Sequence, residues 1–185
     1  ISQPIKVGTV ENLPPFSFYE KGQLKGIDIE VINELSKRLN LNIEIETLPW
    51  LRVINELKNG DLDSAFSLYY VEDRKSFITY LSIMHYDNLG LMTRNDNMFH
   101  YRKTEDLYNK VIGKGNGVFV SSEFTKAEEE KRFIVEEIND TEMGNLKKLK
   151  ANRIDAVIGV VETMKFYAKV LGYDNQLQIL NEYID

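Results

Sequence analysis

The chain has 185 residues, of which 43% are hydrophobic and 28% charged, an ordinary composition for one folded domain or two small ones. Its net charge of −6, without any run of five basic residues, argues against a general nucleic-acid binder. The absence of cysteine excludes disulfides, thiolate metal sites and cysteine nucleophiles, and no apolar stretch approaches the roughly 20 residues of a membrane span. Because the first residue is Ile1 and not methionine, we expect a processed or trimmed chain from which any signal peptide has been removed.

The first half of the sequence alternates between short β-branched runs and amphipathic runs. Strands are predicted at residues 5–10 and 42–46, and helices at residues 28–39 and from Pro49 to residue 59. Between the first strand and the first helix, Pro14 and Pro15 make a stiff, non-helical segment, and Lys21 and Gly22 make a tight turn.

Residues 57–74, with the sequence LKNGDLDSAFSLYYVEDR, are the stretch around which this half is organised. The helix should end at Asn59, where Gly60 can adopt the left-handed cap conformation. A strand is predicted at 62–67, followed by a polar aromatic loop and a short helix at 73–80. Ligands of open α/β sheets bind outside the carboxyl ends of strands, so the loop after Ser67 is the first place to expect one.

The same pattern occurs a second time in the chain. Residues 56–67 (ELKNGDLDSAFS) align with residues 148–159 (KLKANRIDAVIG), which pairs Leu57 with Leu149 and Asp63 with Asp155. Each copy predicts a helix end, a tight turn and a buried strand. Chance is the alternative, because such units are common in α/β proteins, but the match favours two similar lobes.

The second half continues the alternation of strands and helices. Strands are predicted at 86–92, 111–113, 132–136, 154–159 and 177–180, and helices after the caps Ser122 and Thr141 and at 162–171, before Gly172. The alternation predicts mostly parallel sheets flanked by helices. We place lobe one at residues 1–87, lobe two at 88–180 and a strand returning to lobe one at 181–185. Extended connections near 86–91 and 177–182 would form a hinge.

The order of motifs resembles that of a known family. PPFSF at 14–18, GQLKGIDIEV at 22–31, LNLNIE at 39–44, LPW at 48–50, NGDLD at 59–63 and EDR at 72–74 follow one another as they do in the bacterial extracellular solute-binding proteins of family 3, the periplasmic proteins that serve amino-acid importers. The resemblance covers nearly the whole chain and is strongest at 14–77. It implies a two-lobed, type II periplasmic binding protein-like fold whose lobes close on a small molecule.

The resemblance implies that Arg74 grips the ligand's carboxylate in lobe one. A planar guanidinium suits this task because it offers two parallel charge-assisted hydrogen bonds. An ion pair with Glu72 or Asp73 is the alternative.

The resemblance also implies an aromatic wall in lobe one, formed by Trp50 and Phe16. Packing of the second helix is the alternative role for Trp50. Ser67 matches a position that binds through its backbone. Tyr69 and Tyr70 replace a threonine and small residues of the family and would narrow the pocket.

Lobe two departs from the family pattern. Amino-acid binders usually carry an aspartate shortly after the DAV strand, where it holds the α-ammonium, but DAV at 155–157 is followed here by IGVV. Glu162 is a substitute, with favourable placement in a helix first turn as the alternative. Glu11 is a second candidate partner for an ammonium, from lobe one. The glycine-rich loop with Asn116 and Gly117 could contact an anion through backbone N–H groups.

The end of the chain departs from the pattern as well. Family members return to lobe one and add further helices, whereas this chain stops at Asp185, so we expect a truncated return to lobe one. Apolar surface should then be exposed on lobe one, and we expect a monomer or a weak dimer.

Three functions follow from these observations. The first is a periplasmic or extracellular binding protein that captures an amino acid or related carboxylate by lobe closure and delivers it to the permease of an ABC transporter. The second is the ligand-sensing domain of a receptor or histidine kinase. The third is a cleft enzyme such as a cyclic-acid dehydratase, for which Glu11, Glu162 and His85 lack a diagnostic spacing. We therefore expect no enzyme, no cofactor, no metal and no nucleic-acid partner.

Overall fold

The computed structural model describes residues 3–139, 142–181 and 184. The chain divides into two compact units, Ile1–Tyr86 (unit 1) and Asp87–Asp185 (unit 2). The predicted cap Thr141 and most of the predicted returning strand at 181–185 lie outside the described residues. Within the described part of the chain, no helix is both long and apolar enough to cross a membrane.

Unit 1 is built on a three-stranded parallel sheet with the order β5-β1-β6 and a separate antiparallel sheet with the order β2-β3-β4. Its elements are β1 (Ile5–Thr9), β2 (Asn12–Leu13), β3 (Ser17–Glu20), β4 (Gln23–Lys25), α1 (Ile27–Leu39), β5 (Ile43–Thr47), α2 (Trp50–Asn59) and β6 (Ser64–Ala65). The core of the unit includes Val7, Ile29, Ile32 and Phe66.

Two predictions for the stretch after α2 need correction. The strand predicted at 62–67 is only Ser64–Ala65, because Ser67 has a left-handed φ of 61° that ends the extended pairing. The helix predicted at 73–80 is a single 3-10 turn, Glu72–Ser76. The residues that follow, Phe77, Ile78 and Thr79, are aromatic or β-branched and have low helix propensity. The cap at Gly60, in contrast, is left-handed as predicted.

Helix α1 exposes much of its apolar surface. Ile29 and Ile32 are buried, whereas four other apolar residues of this helix are 40–61% exposed, namely Ile27, Val31, Leu35 and Leu39. The apolar surface expected on lobe one is therefore present on α1.

Unit 2 contains a five-stranded mixed sheet with the order β11-β7-β10-β8-β9. Its elements are β7 (Leu89–Arg94), a 3-10 turn (Thr104–Leu107), β8 (Val111–Gly115), α3 (Ser122–Glu129), β9 (Ile134–Ile138), α4 (Glu142–Lys150), β10 (Ala156–Val160), α5 (Val161–Val170) and β11 (Leu177–Asn181). β8, β9 and β10 run parallel, while β7 is antiparallel to both of its neighbours. Ser121, one residue before the predicted cap, accepts a hydrogen bond from the Phe124 N–H over 3.1 Å.

The continuous apolar run of β10 is explained by burial on both faces of the sheet. Ala156 and Ile158 belong to one core cluster, which includes Phe124 of α3. Val157 belongs to a second cluster, which includes Leu146 of α4. Because successive side chains of a strand point to opposite faces, each face of the sheet is covered by helices.

The predicted repeat is confirmed by matching hydrogen bonds. The N–H of Asp63 donates to the carbonyl of Lys6 in β1 over 3.0 Å, and the Asp63 carboxylate accepts from the Lys6 N–H over 2.8 Å. Asp155 makes the same pair of bonds with Val111 in β8, both at 2.8 Å. The aspartate of each copy therefore fastens the start of its strand to a neighbouring parallel strand.

Candidate functional site

The predicted ligand residues of unit 1 follow the carboxyl ends of its parallel strands. β1 ends at Thr9, β5 at Thr47 and β6 at Ala65, and parallel pairing brings these ends to one edge of the sheet. Glu11, Trp50 and Ser67 come shortly after those three ends. This edge is where open α/β sheets bind ligands.

Arg74 is half-buried in the 3-10 turn that follows β6, and its guanidinium carbon lies 5.4 Å from the centre of the Trp50 ring. Within residues 3–139, 142–181 and 184, no carboxylate lies at ion-pair distance from this guanidinium. Burial lowers the pKa of Arg74 below its ordinary value, and nearby Tyr80 opposes that effect. The side chain is therefore a partly desolvated cation without a counter-charge in the described part of the chain.

The alternative partners of Arg74 are engaged elsewhere or exposed. Glu72 accepts hydrogen bonds from the Tyr70 hydroxyl and, over 3.1 Å, from the ammonium of Lys75. These two groups, Tyr70 first, lower the pKa of Glu72. Asp73 is exposed. The ion pair that the sequence allowed for Arg74 is not formed with either acid.

The loop between β6 and Arg74 is held by Tyr80. The Tyr80 hydroxyl donates to the carbonyl of Tyr69 over 3.2 Å and accepts from the N–H of Val71 over 3.1 Å. Tyr69 itself is half-buried, whereas Tyr70 is 56% exposed and lies against the Tyr80 ring at 5.0 Å. Tyr80 thus connects the backbone of this loop to the segment that follows the 3-10 turn.

A buried aspartate supports two other predicted residues, Ser67 and Phe16. Asp28, in the first turn of α1, is completely buried and accepts a hydrogen bond from the Ser67 hydroxyl. The ring nitrogen Nε2 of His85 lies 3.1 Å from the same carboxylate. The His85 ring is stacked on Phe16, with ring centres 4.2 Å apart and planes 3° from parallel. Phe16 is therefore a buried residue with one face covered by His85.

Sequence reasoning missed the role of Asp28. The available signal was a charged residue between Ile27 and Ile29 at the start of an amphipathic helix. His85, which the sequence offered only as a catalytic candidate without a diagnostic spacing, is half-buried and completes the cluster. Glu11 is exposed, and its carboxylate accepts from the Thr47 hydroxyl over 3.3 Å.

In unit 2, the carboxyl ends of β8, β9 and β10 also share one edge of the sheet. The Asn116 N–H donates to the Ile138 carbonyl over 2.9 Å, and its side-chain amide donates to Oδ1 of Asn139 over 2.6 Å. The Val118 N–H donates to the carbonyl of Gly115 over 3.2 Å. Two backbone donors of the glycine-rich loop are therefore used within unit 2.

Lys114, in β8, and the first turn of α5 also lie at this edge of the sheet. Lys114 belongs to β8 and not to the loop, is buried, and pairs with Glu137 while donating to the Val118 carbonyl over 3.2 Å. Gly117, in the loop, has a positive φ of 72°. Glu162 is exposed in the first turn of α5, where an acid is favourable in any case.

Glu142, the first residue of α4, was not singled out from the sequence. A Cβ placed on Gly159 of β10 would lie 3.1 Å from Cγ and 3.3 Å from Oε1 of Glu142. Burial raises the pKa of the Glu142 carboxyl to about 7, although its own backbone N–H opposes the shift. No local sequence signal identifies this residue, because its neighbour Gly159 lies in β10, distant along the chain.

A parallel sheet in unit 1 and a mixed sheet in unit 2, with helices packed on the sheets and with the edges just described, define an α/β protein with a periplasmic binding protein-like fold. The model of the bacterial extracellular solute-binding proteins, family 3, matches residues 5–130. The chain belongs to this family, as the motifs predicted.

Curated relatives of the chain are binding proteins. The chain is 24% identical over 155 residues to the probable amino-acid-binding protein YxeM of Bacillus subtilis, which covers 83% of this chain and 58% of YxeM. It is 27% identical over 161 residues to a probable histidine-binding protein of Campylobacter jejuni, covering 87% of this chain and 61% of the relative. The chain therefore spans less than two thirds of the length of these relatives.

Solved structures confirm the predicted fold. An ancestral arginine-binding protein bound to arginine superposes with a TM-score of 0.85 at 23% identity, covering 98% of this chain and 80% of that one. A histidine kinase sensor domain with similarity to periplasmic binding proteins gives a TM-score of 0.86 at 16% identity, covering 97% and 78%. At these identities the likeness establishes the fold alone.

Proposed function

We propose that the chain binds an amino acid or a related small carboxylate outside the cytoplasm and delivers it to the permease of an ABC importer. The observation that carries the proposal is Arg74, a half-buried guanidinium near Trp50 for which the described residues supply no carboxylate. Family membership and relatives whose names specify amino-acid, histidine or arginine binding support it. Capture by lobe closure is the proposed mode, and no catalytic step is part of it.

The charge on Arg74 favours an anionic ligand. A guanidinium that has lost part of its hydration is costly unless an anion replaces the lost water. A carboxylate does so with two parallel hydrogen bonds, which also fix its orientation. Trp50 contributes an aromatic face beside the cation. An apolar or cationic ligand would leave the cost of desolvating Arg74 uncompensated.

The remaining predicted contacts form part of the same proposal. In unit 1, Ser67 would bind through its backbone, and Phe16 and Tyr69 would contribute aromatic surface. Glu11 would meet an ammonium group. In unit 2, the proposed contacts are Asn116, Gly117 and Glu162.

A second candidate is ligand sensing, favoured by the likeness to the histidine kinase sensor domain. A sensor and a transport protein can share the binding chemistry at Arg74, so affinity does not separate them. Uptake of radiolabelled ligand separates them, because deleting the gene abolishes uptake for a transport protein and leaves it intact for a sensor. Intact uptake, with loss of a ligand-dependent transcriptional response, would replace the transport assignment.

The binding proposal is tested by thermal-shift screening of amino acids, small carboxylates and polyamines against wild type, Arg74→Ala and Arg52→Ala. Arg52 is the matched control, because it is an exposed arginine paired with Glu56 over 2.7 Å. A ligand at a hundredfold excess over its Kd stabilises the native state by about 2.7 kcal/mol. We expect a carboxylate to stabilise wild type and Arg52→Ala but not Arg74→Ala. An equal shift in Arg74→Ala would remove this residue from the site.

A further inference from the structure

We propose that Asp28 and His85 are positioning residues of the ligand site in unit 1. They act through Ser67 and Phe16, and neither touches the ligand. The inference rests on the proposed function, in which Ser67 and Phe16 contact the ligand, and adds that a buried carboxylate and the histidine bonded to it set the affinity of that contact. All four residues lie within Ile1–Tyr86, so the inference concerns unit 1 alone.

The first observation is the backbone conformation of Ser67. Its φ of 61° lies in the left-handed region, which residues other than glycine rarely adopt because Cβ crowds the backbone. Such a conformation persists only where the surrounding structure holds it, and it is common at ligand clamps. Phe66, one residue earlier, is still bonded to β1, since its N–H donates to the Gly8 carbonyl over 3.3 Å. The Ser67 backbone, the proposed ligand contact, therefore needs a support of its own.

The second observation is that Asp28 supplies this support. The Ser67 hydroxyl donates to Oδ2 of Asp28, whose carboxylate is completely buried. Hydrogen bonds to an ionised acceptor are about twice as strong as those between neutral groups. The N–H of Asp28 donates to the Phe16 carbonyl over 3.0 Å, so the aspartate is itself bonded to the segment that carries Phe16. One buried residue thus joins two proposed ligand contacts that lie far apart in the chain.

The third observation is that His85 holds the same carboxylate from a third segment of the chain. Its Nε2 lies 3.1 Å from both oxygens of Asp28, and its ring is stacked on Phe16. Because a carboxylate only accepts hydrogen bonds, Nε2 is the donor. Among the described residues, no other charged side chain is in hydrogen-bond or ion-pair contact with His85. Its neighbours Met84 and Tyr86 are exposed, so His85 is the residue of this stretch that turns inward.

Packing alone does not explain this cluster. Oδ1 of Asp28 and Nδ1 of His85 are both buried, and neither has a hydrogen-bond partner in the described structure. Buried polar atoms without partners are unfavourable, and apolar residues would fill the same space without that cost. Serine, histidine and aspartate also occur together in hydrolases, but there the histidine bonds to the serine, whereas here both bonds end on Asp28. The arrangement therefore orients Ser67 and does not activate it.

The test is isothermal titration of L-arginine, L-histidine and L-glutamine into wild type, Asp28→Asn, His85→Phe and His85→Gln. His85→Phe keeps a ring against Phe16 and loses the donor, whereas His85→Gln keeps a donor and loses the ring. Each change has a matched control. Glu30→Gln replaces an exposed acid in the same helix turn as Asp28, and His100→Phe replaces the other histidine of the chain, which is exposed.

The expected results follow from the population of the binding conformation. Asp28→Asn and His85→Phe should each weaken binding about tenfold, because apparent affinity falls with the fraction of molecules whose loop is competent to bind. His85→Gln should bind more tightly than His85→Phe, and both controls should bind as wild type does. The double variant Asp28→Asn/His85→Phe should again lose about tenfold, since the two residues act as one bonded unit. In NMR spectra the Ser67 amide signal should shift in Asp28→Asn and His85→Phe but not in the controls.

Urea denaturation of each variant shows which proteins are folded, and affinities are compared only among those. If Asp28→Asn does not fold, the two His85 variants decide. Reduced stability with unchanged affinity means that the cluster is structural alone and overturns the inference, whereas loss of binding in Arg74→Ala leaves the proposed function standing. Additive losses in the double variant also overturn the inference. Failure of wild type to bind any of the three amino acids overturns both proposals.

Discussion

Replacing Glu142 with glutamine should change how the stability of the protein depends on pH. The substitution keeps the size and shape of the side chain and removes its titration. In the folded protein the carboxyl has a pKa of about 7, raised from an ordinary value of 4.5 by burial. The folded state therefore holds this proton more tightly than the unfolded state.

The sign of the effect follows from that difference. As pH rises from about 4.5 to about 7, the unfolded carboxyl loses its proton first, so wild type loses stability across this window. The difference of about 2.5 in pKa corresponds to at most about 3.4 kcal/mol. Because Glu142 keeps some exposure to solvent, which screens the cost of its charge, we expect about 1–3 kcal/mol.

Urea denaturation at pH 5, 6, 7 and 8 measures the effect directly. The gain in unfolding free energy on going from wild type to Glu142→Gln should increase with pH and level off above pH 7. A Glu123→Gln control, at an exposed acid in the first turn of α3, should follow wild type. Parallel wild-type and Glu142→Gln curves across the four pH values would show that the carboxyl is not desolvated in the folded protein.

Five further substitutions, grouped into three comparisons, test the packing of unit 1 by the same denaturation assay. Asp28→Asn should cost about 1–3 kcal/mol, because the neutral amide weakens the charge-assisted bonds that hold the cluster, and an unchanged midpoint would contradict this. Gly26→Ala should lower the free energy of unfolding by about 3 kcal/mol or more, since φ of Gly26 is 129° and the new Cβ would lie 2.0 Å from the backbone oxygen of Phe16. Gly60→Ala is the comparison: its Cβ would meet open space, so only the positive φ opposes it, and the loss should be about 1–2 kcal/mol. Leu35→Lys, on the exposed face of α1, should change the free energy of unfolding by no more than about 0.5 kcal/mol, whereas Ile32→Ala, in the core, should lower it by about 2–4 kcal/mol. Similar losses for both variants would mean that the exposed face of α1 is packed in solution.

Local rules of the sequence predict the scaffold well. Apolar spacing, helix caps and the Asp63 and Asp155 repeat predict the main helices and the strands of the two larger sheets, and the motif order identifies the family, whereas the small sheet of β2, β3 and β4 was not predicted. The errors fall in the segment from Leu62 to Tyr80, where the strand is shorter and the helix is a single turn. No repeating hydrogen-bond ladder runs through the loop in this segment, and the Tyr80 hydroxyl instead bonds to the backbone of Tyr69 and Val71. Periodicity carries no information about such a contact.

The candidate site is less accessible to sequence reasoning, because partners that are distant along the chain decide what a charged residue can do. Arg74 could be proposed from its motif, but only the structure shows that Glu72 is occupied by Tyr70 and Lys75. From the sequence, Asp28 is an acid in the first turn of a helix, where a negative charge is favourable. Only the structure shows that its carboxylate also contacts Ser67 and His85.

The two units share a scaffold and differ in the charge they leave uncompensated. In each unit, an aspartate of the repeat joins the start of one strand to a neighbouring parallel strand, and this bond helps to set the position of the carboxyl edge of the sheet. At that edge unit 1 presents a half-buried arginine and unit 2 a desolvated glutamate, each without a counter-charge among the described residues. A packing role for Arg74, in contrast to a binding role, predicts that its substitution changes stability alone and leaves ligand binding untouched.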